Sequence, residues 1–343
     1  MSAFEDPGPV HGGPDARGAV PHDFSTNGNA CGPCPAALDA LQAADAARYP
    51  DPRFTALRTR LAAFHGVEDE RILIAASASE FIARISAAVA QQGGRRVSLP
   101  PCSYGDCLRA AQAWGLSVQC APSPSADADL VWCCDPSSPL GQAQDGLQGV
   151  IDALPAQAVC VLDLAYEPLR LEGRLGLGAA QKARVWQLWT PNKALGLTGV
   201  RAAYAIAPAG EEGMRARLDR LAPSWPLGAH GVALLAAWTE EDAQAWLRHS
   251  LAQLRHWKAE QQAMCTALGW TCLPSVANFF CARPDTPHAA RAAALRDAGV
   301  QLRDTASFGL PDHVRLGVLP PASQRALRHA WTAERRGSAP GTP

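Results

Sequence analysis

Seven short apolar runs recur between residues 72 and 206, and their spacing restricts the fold more than any other feature of the chain. They are Ile72–Ala75, Val97–Leu99, Val118–Cys120, Leu130–Cys134, Val159–Asp163, Val185–Trp189 and Ala202–Ile206. Runs this short and this apolar read as strands buried on both faces of a sheet. Helical segments separate most of them, which is the βαβ pattern of a mostly parallel sheet covered by helices. After about residue 210 the pattern turns helical, at Glu211–Leu221 and His230–Leu268. A final α+β unit follows, with strand Ala277–Ala282, helix Pro287–Ala298, strand Val314–Val318 and helix Pro321–Glu334.

Upstream of the first strand, residues 1–35 are rich in Gly, Pro, Asn and Asp and read as an extended arm with turns. Two helices follow, Pro35–Ala47 and Asp51–Phe64, the second with Phe54, Leu57, Leu61 and Phe64 on one face. A chain of 343 residues is long enough for two domains. The expected division is an N-terminal arm with part of the small domain over 1–45, a large domain over 46–215, a small domain over 216–335 and a disordered tail over 336–343. The fold class expected is α/β, a large domain with a mostly parallel sheet plus a small α+β domain.

The formal net charge is −1, so nothing steers the chain toward nucleic acid or an anionic membrane. No apolar run approaches the roughly 18 residues that span a bilayer. The N-terminus lacks a basic stretch followed by an apolar one, which predicts no secretion and a cytoplasmic place. Eleven cysteines spread over the length read mainly as small buried hydrophobes. Cys31-Gly32-Pro33-Cys34 has the spacing of a redox pair, but it follows the polar stretch Ser25–Ala30 rather than an apolar strand. No second such pair and no His/Cys cluster completes a set of four zinc ligands, so no metal is expected. A redox or metal-binding protein using Cys31 and Cys34 stays as the alternative from another class.

Lys193 carries the chemistry. The chain has three lysines, and this one lies in the apolar, glycine-punctuated segment Trp189–Arg201. A desolvated lysine amine has a lowered pKa and can form a Schiff base. Asp163 ends a buried strand, Tyr166 follows three residues later, and Arg201 lies eight residues beyond Lys193. Ser77-Ala78-Ser79-Glu80 stands where a strand gives way to a helix, a place for an anion or simply for an N-cap. Taken singly, Asp163 could be a helix cap, Lys193 and Arg315 surface residues, and Tyr104 a loop packing residue.

In this order the residues resemble the fold-type I pyridoxal-phosphate (PLP) enzymes, the class I/II aminotransferase group. The resemblance runs from about His11 to Trp331. It implies that Lys193 anchors the cofactor and acts as base, Asp163 pairs with the pyridine nitrogen, and Tyr166 bonds the phenolic oxygen. It also implies that Ala78, Ser79, Glu80, Thr190 and Arg201 hold the phosphate and that Tyr104 stacks on the ring. Ser138, in Asp135-Pro136-Ser137-Ser138-Pro139-Leu140-Gly141, stands where the family has an asparagine, and a serine is shorter with a single donor.

Tyr49, in Arg48-Tyr49-Pro50, resembles the tyrosine that reaches the phosphate of a neighbouring subunit, which implies a homodimer with shared sites. Arg315, Asn278, Arg303, Asn29 and His11 match substrate-side positions. His11-Gly12-Gly13 and Asp23–Asn29 resemble the opening of L-threonine-O-3-phosphate decarboxylases, relatives of the histidinol-phosphate aminotransferases. The function implied is an aminotransferase of the histidinol-phosphate type acting on an amino acid or phosphorylated amino compound. That decarboxylase of cobalamin synthesis is the alternative, and a catalytically silent PLP-fold protein a further one.

Overall fold

The computed structural model describes residues 11–125, 127–155 and 157–337. The first ten residues of the expected arm and the tail from residue 338 lie outside these described residues. A seven-stranded sheet runs in the order Ile72–Ala75, Ala203–Ile206, Trp186–Trp189, Val159–Asp163, Leu130–Cys134, Arg96–Leu99 and Ser117–Cys120. Its pairings are parallel except those of Ala203–Ile206, which runs antiparallel to both neighbours.

Both faces of this sheet are covered, which is why its strands are apolar throughout. Side chains alternate across a strand, so Leu73 and Ala75 pack with Phe81, Ile82, Ile85 and Trp186, while Ile72 and Ile74 pack with Leu57, Leu61 and Leu234. Helices Ala78–Gln91, Gly105–Ala113 and Glu212–Leu221 supply one face. Thr55–His65, Ala229–Trp238 and Glu241–Ala267 supply much of the other.

The C-terminal part forms a four-stranded antiparallel sheet in the order Arg303–Asp304, Val314–Gly317, Phe279–Arg283 and Thr271–Cys272. The arm is woven into it. His22–Asp23 pairs in parallel with Val300–Gln301, and Phe24 is fully buried among Trp270, Phe280, Leu316 and Trp331.

Several expected boundaries shift for local reasons. The first helix stops at Gln42, and beyond it Asp45 accepts the Ala47 N–H in an Asx turn. The second starts at Thr55 rather than Asp51, because the Asp51 carboxylate takes the N–H groups of Arg53 and Thr55 while Phe54 adopts φ 49°. The helix expected over 230–268 breaks after Trp238. The backbone turns at Thr239 and Glu240, and Glu241 and Asp242 then favour a fresh N-terminus. Pro287–Ala298 is a short 3-10 turn and then a helix over Ala292–Asp297. The last helix runs from Pro321 to Gly337, into what the sequence reads as tail.

Candidate active site

The parallel strands bring their C-terminal ends to one edge of the sheet, where loop backbone is free to bind ligands. Asp163 ends one strand, in register with Cys134 and Leu188 of its neighbours. Thr190 follows the next strand. Because Ala203–Ile206 runs the other way, the residues before it, Arg201 and Ala202, arrive at the same edge. Ile72–Ala75 leads into Ser77, the N-cap of Ala78–Gln91, whose free N–H groups face this edge.

A cavity of about 180 Å³ opens there. Of the residues singled out in the sequence, Ala78, Ser79, Tyr104, Ser138, Asp163, Tyr166, Thr190, Lys193 and Arg201 all line it. Ser77, Ala165, Asn192 and Ala202 also line it. Glu80 does not. Its carboxylate accepts the Ala76 N–H (3.2 Å) and pairs with Arg84 (3.0 Å), while its own N–H goes to Ser77 Oγ (3.1 Å). Glu80 therefore stabilises the helix start rather than binding an anion. A larger open groove of about 770 Å³, lined partly by the Arg58–Asp219 pair, shares none of the residues that line this cavity.

The electrostatics suit a carbonyl compound with a negatively charged end. Burial lowers the Lys193 pKa; Asp163 opposes this, and the charges of Arg201 and Arg315 add to the lowering. Its Nζ donates to Thr190 Oγ1 at 3.2 Å and lies 5.4 Å from the centre of the Tyr166 ring. Burial raises the Asp163 pKa, and the Ala165 N–H (2.9 Å to Oδ1) and Lys193 hold it back. A cationic nitrogen is the partner that would keep this carboxylate ionised. Arg201 is exposed and makes no hydrogen bond or ion pair to any described residue. It lines the cavity together with Ser79, Thr190 and the helix N-terminus, groups whose chemistry suits an anion. Tyr104 bonds Ser79 at 3.2 Å between hydroxyls, and burial raises its pKa.

The loop that presents Lys193 is tied down on both sides. Asn192, which sequence reasoning missed, donates to the carbonyls of Thr198 (3.3 Å) and Val200 (3.2 Å). Its place beside Lys193 in a glycine-rich loop was the available signal. On the other side the arm runs along the loop: Asn29 N–H bonds Lys193 O (2.9 Å) and Cys34 N–H bonds Leu195 O (2.8 Å). Gly196, at φ +68°, permits this approach, since a Cβ there would sit 2.4 Å from Gly32 O.

The remaining expected residues lie outside the cavity wall. Asn29 is buried and donates to Ala194 O (3.0 Å) and Ser250 Oγ (2.7 Å), so its amide holds the arm in place. Asn278 donates to the carbonyls of Asn27 and Gly28, both at 3.1 Å. Arg315 is buried, donates to Ser25 O (3.0 Å) and leaves its Nε without a partner among the described residues. Arg303 is its cross-strand partner, bonded to Ser307 Oγ (2.9 Å) and set over Phe308. His11 stands 6.2 Å from Tyr104 between ring centres. Tyr49 is 78% exposed and stacked on Trp225. Cys31 and Cys34 are free thiols whose pKa burial raises, whereas a redox thiol needs it lowered.

Comparison with known proteins agrees with this geometry. The profile of the aminotransferase class I and II family matches residues 22–333. The chain is 29% identical over 337 residues to a histidinol-phosphate aminotransferase of Symbiobacterium thermophilum, covering 91% of each chain. It is 30% identical over 336 residues to one of Jannaschia sp., covering 92% of this chain and 91% of that one. Among solved structures it resembles the histidinol-phosphate aminotransferase of Sinorhizobium meliloti in complex with pyridoxal-5'-phosphate. There the TM-score is 0.81 at 22% identity, over 99% of this chain and 100% of that one. The L-threonine-O-3-phosphate decarboxylase of Porphyromonas gingivalis also matches, with a TM-score of 0.69 at 22% identity, over 87% of this chain and 92% of that one. Matched by that profile over most of its length, the chain belongs to the class I and II aminotransferase family and is a pyridoxal-phosphate-dependent enzyme.

Proposed function

We propose that the chain is an aminotransferase of the histidinol-phosphate type, acting on an amino compound that carries a phosphate. The observation that carries this reading is the facing pair Arg303 and Arg315, in cross-strand register and 4% and 8% exposed. Arg315 has no ion-pair partner among the described residues, and a buried guanidinium so placed calls for an anion beside it. The names of the relatives support the same choice.

Bound PLP supplies a carbonyl for an amine to condense with and a ring that accepts the electron pair released at Cα. The chain does the rest. Ser79, Thr190, Arg201 and the N–H groups at the start of Ala78–Gln91 hold the phosphate. Asp163 would supply the negative charge that pairs with a pyridine nitrogen, and the Tyr104 ring would pack on the bound group. Lys193, with its amine favoured neutral by burial, is placed to take a proton from the substrate Cα and return it elsewhere. Arg315 and Arg303 orient the substrate through its anionic ends. In this reading the enzyme is a cytoplasmic homodimer. Free cysteines throughout suit a reducing compartment, and the exposed Tyr49–Trp225 stack suits contact with a second copy.

A second reading, decarboxylation of L-threonine O-phosphate, draws on the arm. His11 lies beside Tyr104, and Gly13 N–H bonds Ser25 Oγ at 2.8 Å, seating this segment near the cavity mouth. The same side chains would serve if the substrate lost carbon dioxide rather than a proton from Cα, the cofactor again accepting the electron pair. One assay separates the two. PLP-loaded protein is given histidinol phosphate with 2-oxoglutarate, or L-threonine O-phosphate alone. Glutamate formation from the first supports transamination; carbon dioxide from the second, without glutamate from the first, replaces it with decarboxylation. Equal inhibition by phosphorylated and plain amino compounds would remove the phosphate from the reading.

A further inference from the structure

The Tyr166 ring has little room to move. It packs edge-on against Phe279, with ring centres 4.6 Å apart and planes at 61°, and Lys193 Nζ lies over it. What remains free is the direction of its hydroxyl proton. One neighbour decides that direction. Asn27, on the arm, donates its Nδ2–H to the Tyr166 oxygen at 3.3 Å. A proton arriving from one side repels the hydroxyl proton from that side.

Asn27 is itself held firmly. Asn278 donates to the carbonyls of Asn27 and Gly28 (3.1 Å each), and the Asn29 N–H is bonded to Lys193 O. Asn27 is 4% exposed, and its Oδ1 has no hydrogen-bond partner among the described residues. A buried amide with an unmet acceptor is a net burden on folding, so its retained contact with the tyrosine points to the site.

We propose that Asn27 is a positioning residue that turns the Tyr166 hydroxyl proton into the cavity and strengthens it as a donor. The proposal rests on the cavity being the PLP site. There the proton faces the phenolic oxygen of the cofactor ring, and Asn27, Tyr166 and that oxygen form a chain of hydrogen bonds in which each donor polarises the next. No bond is made or broken by Asn27. Its effect is on the protonation of the bound group.

The test uses the full chain loaded with PLP and reads the pH midpoint of its visible absorbance, not turnover. A stronger donor to the phenolic oxygen favours its ionised form and lowers the midpoint. Asn27→Ala should raise it by about half a unit. Asn27→Asp, which can only accept, should also raise it by drawing the Tyr166 proton away from the cavity. In a Tyr166→Phe background Asn27→Ala should add nothing, because the two side chains act through one contact. Asn278 bonds backbone carbonyls, so Asn27→Ala leaves the seat of the arm intact, and a wild-type melting temperature verifies this. An unchanged or lowered midpoint in Asn27→Ala, or an equal shift in the Tyr166→Phe background, overturns the proposal. A wild-type chain that forms no visible band removes the cofactor reading and the role of Asn27 together. A band that ignores Asn27 removes the latter alone.

Discussion

Acidification should weaken this enzyme through His65, a residue outside the cavity that supports it from behind. His65 ends helix Thr55–His65 and contacts Tyr204 OH through Nε2 at 2.7 Å. Trp238 Nε1 donates to the same hydroxyl at 3.1 Å. An indole nitrogen can only donate, so the tyrosine proton must go to His65, whose Nε2 must then be the unprotonated acceptor. A protonated His65 would set two donors against the buried Tyr204 oxygen and leave the hydroxyl proton without an acceptor. Burial, with a smaller contribution from Lys182, accordingly lowers the His65 pKa from 6.5 to about 4.

The sign follows from which state binds the proton first. Below pH 6.5 the unfolded chain takes it up, while the folded chain does so only near pH 4. The stabilising contribution is therefore complete above 6.5 and is lost as pH falls through that window. At pH 4.5 the loss amounts to roughly 2.5 kcal/mol. With an unfolding entropy of about 2.1 cal/mol/K per residue, that is a fall in melting temperature of about 3–4 °C for a chain of this length. His65→Gln keeps an acceptor for the tyrosine and removes the titration. Melting curves of both proteins from pH 7.5 to 4.5 share every other titrating group, so the difference isolates His65. Parallel curves would refute the argument. The consequence reaches the site, because the Trp189 ring, 4.9 Å from His65 and stacked parallel to Tyr204, directly precedes Thr190.

Three further outcomes are expected. Arg170→Met should cost about 3–5 kcal/mol in urea unfolding, because Arg170 and Asp135 are each 5% exposed and the variant strands the Asp135 charge near Ser138; a loss below about 1 kcal/mol would show the pair to be unimportant. Gly196→Ala should lose about 1–2 kcal/mol from its left-handed backbone alone, plus the clash with Gly32 O, and should bind PLP more weakly in a titration; unchanged binding would mean that the arm does not brace the lysine loop. Asp163→Asn removes the charge that favours protonated Lys193, so the capture of PLP, followed by its visible band, should move to lower pH while turnover collapses. A shift to higher pH would contradict the assigned electrostatics.

Much of this was legible in the chain itself. A strand buried on two faces must be apolar throughout, so the seven runs between residues 72 and 206 announce the parallel sheet. A lysine with apolar flanks, a strand-end acid and an arginine eight residues on are also visible in the chain, and the fold brings all three to one cavity. These are local signals, carried by neighbours in sequence. Tertiary structure alone decided the rest. Glu80 stands in the right segment, but Arg84, one helical turn on, and the Ala76 N–H draw its carboxylate away from the cavity. Asn29 falls within a motif yet is committed to Ser250 and Ala194, residues distant in the chain. Asn27 reaches Tyr166 across 139 positions and His65 reaches Tyr204 across the same separation. A side chain's partner at such a distance depends on how helices and strands pack, and no local pattern records it.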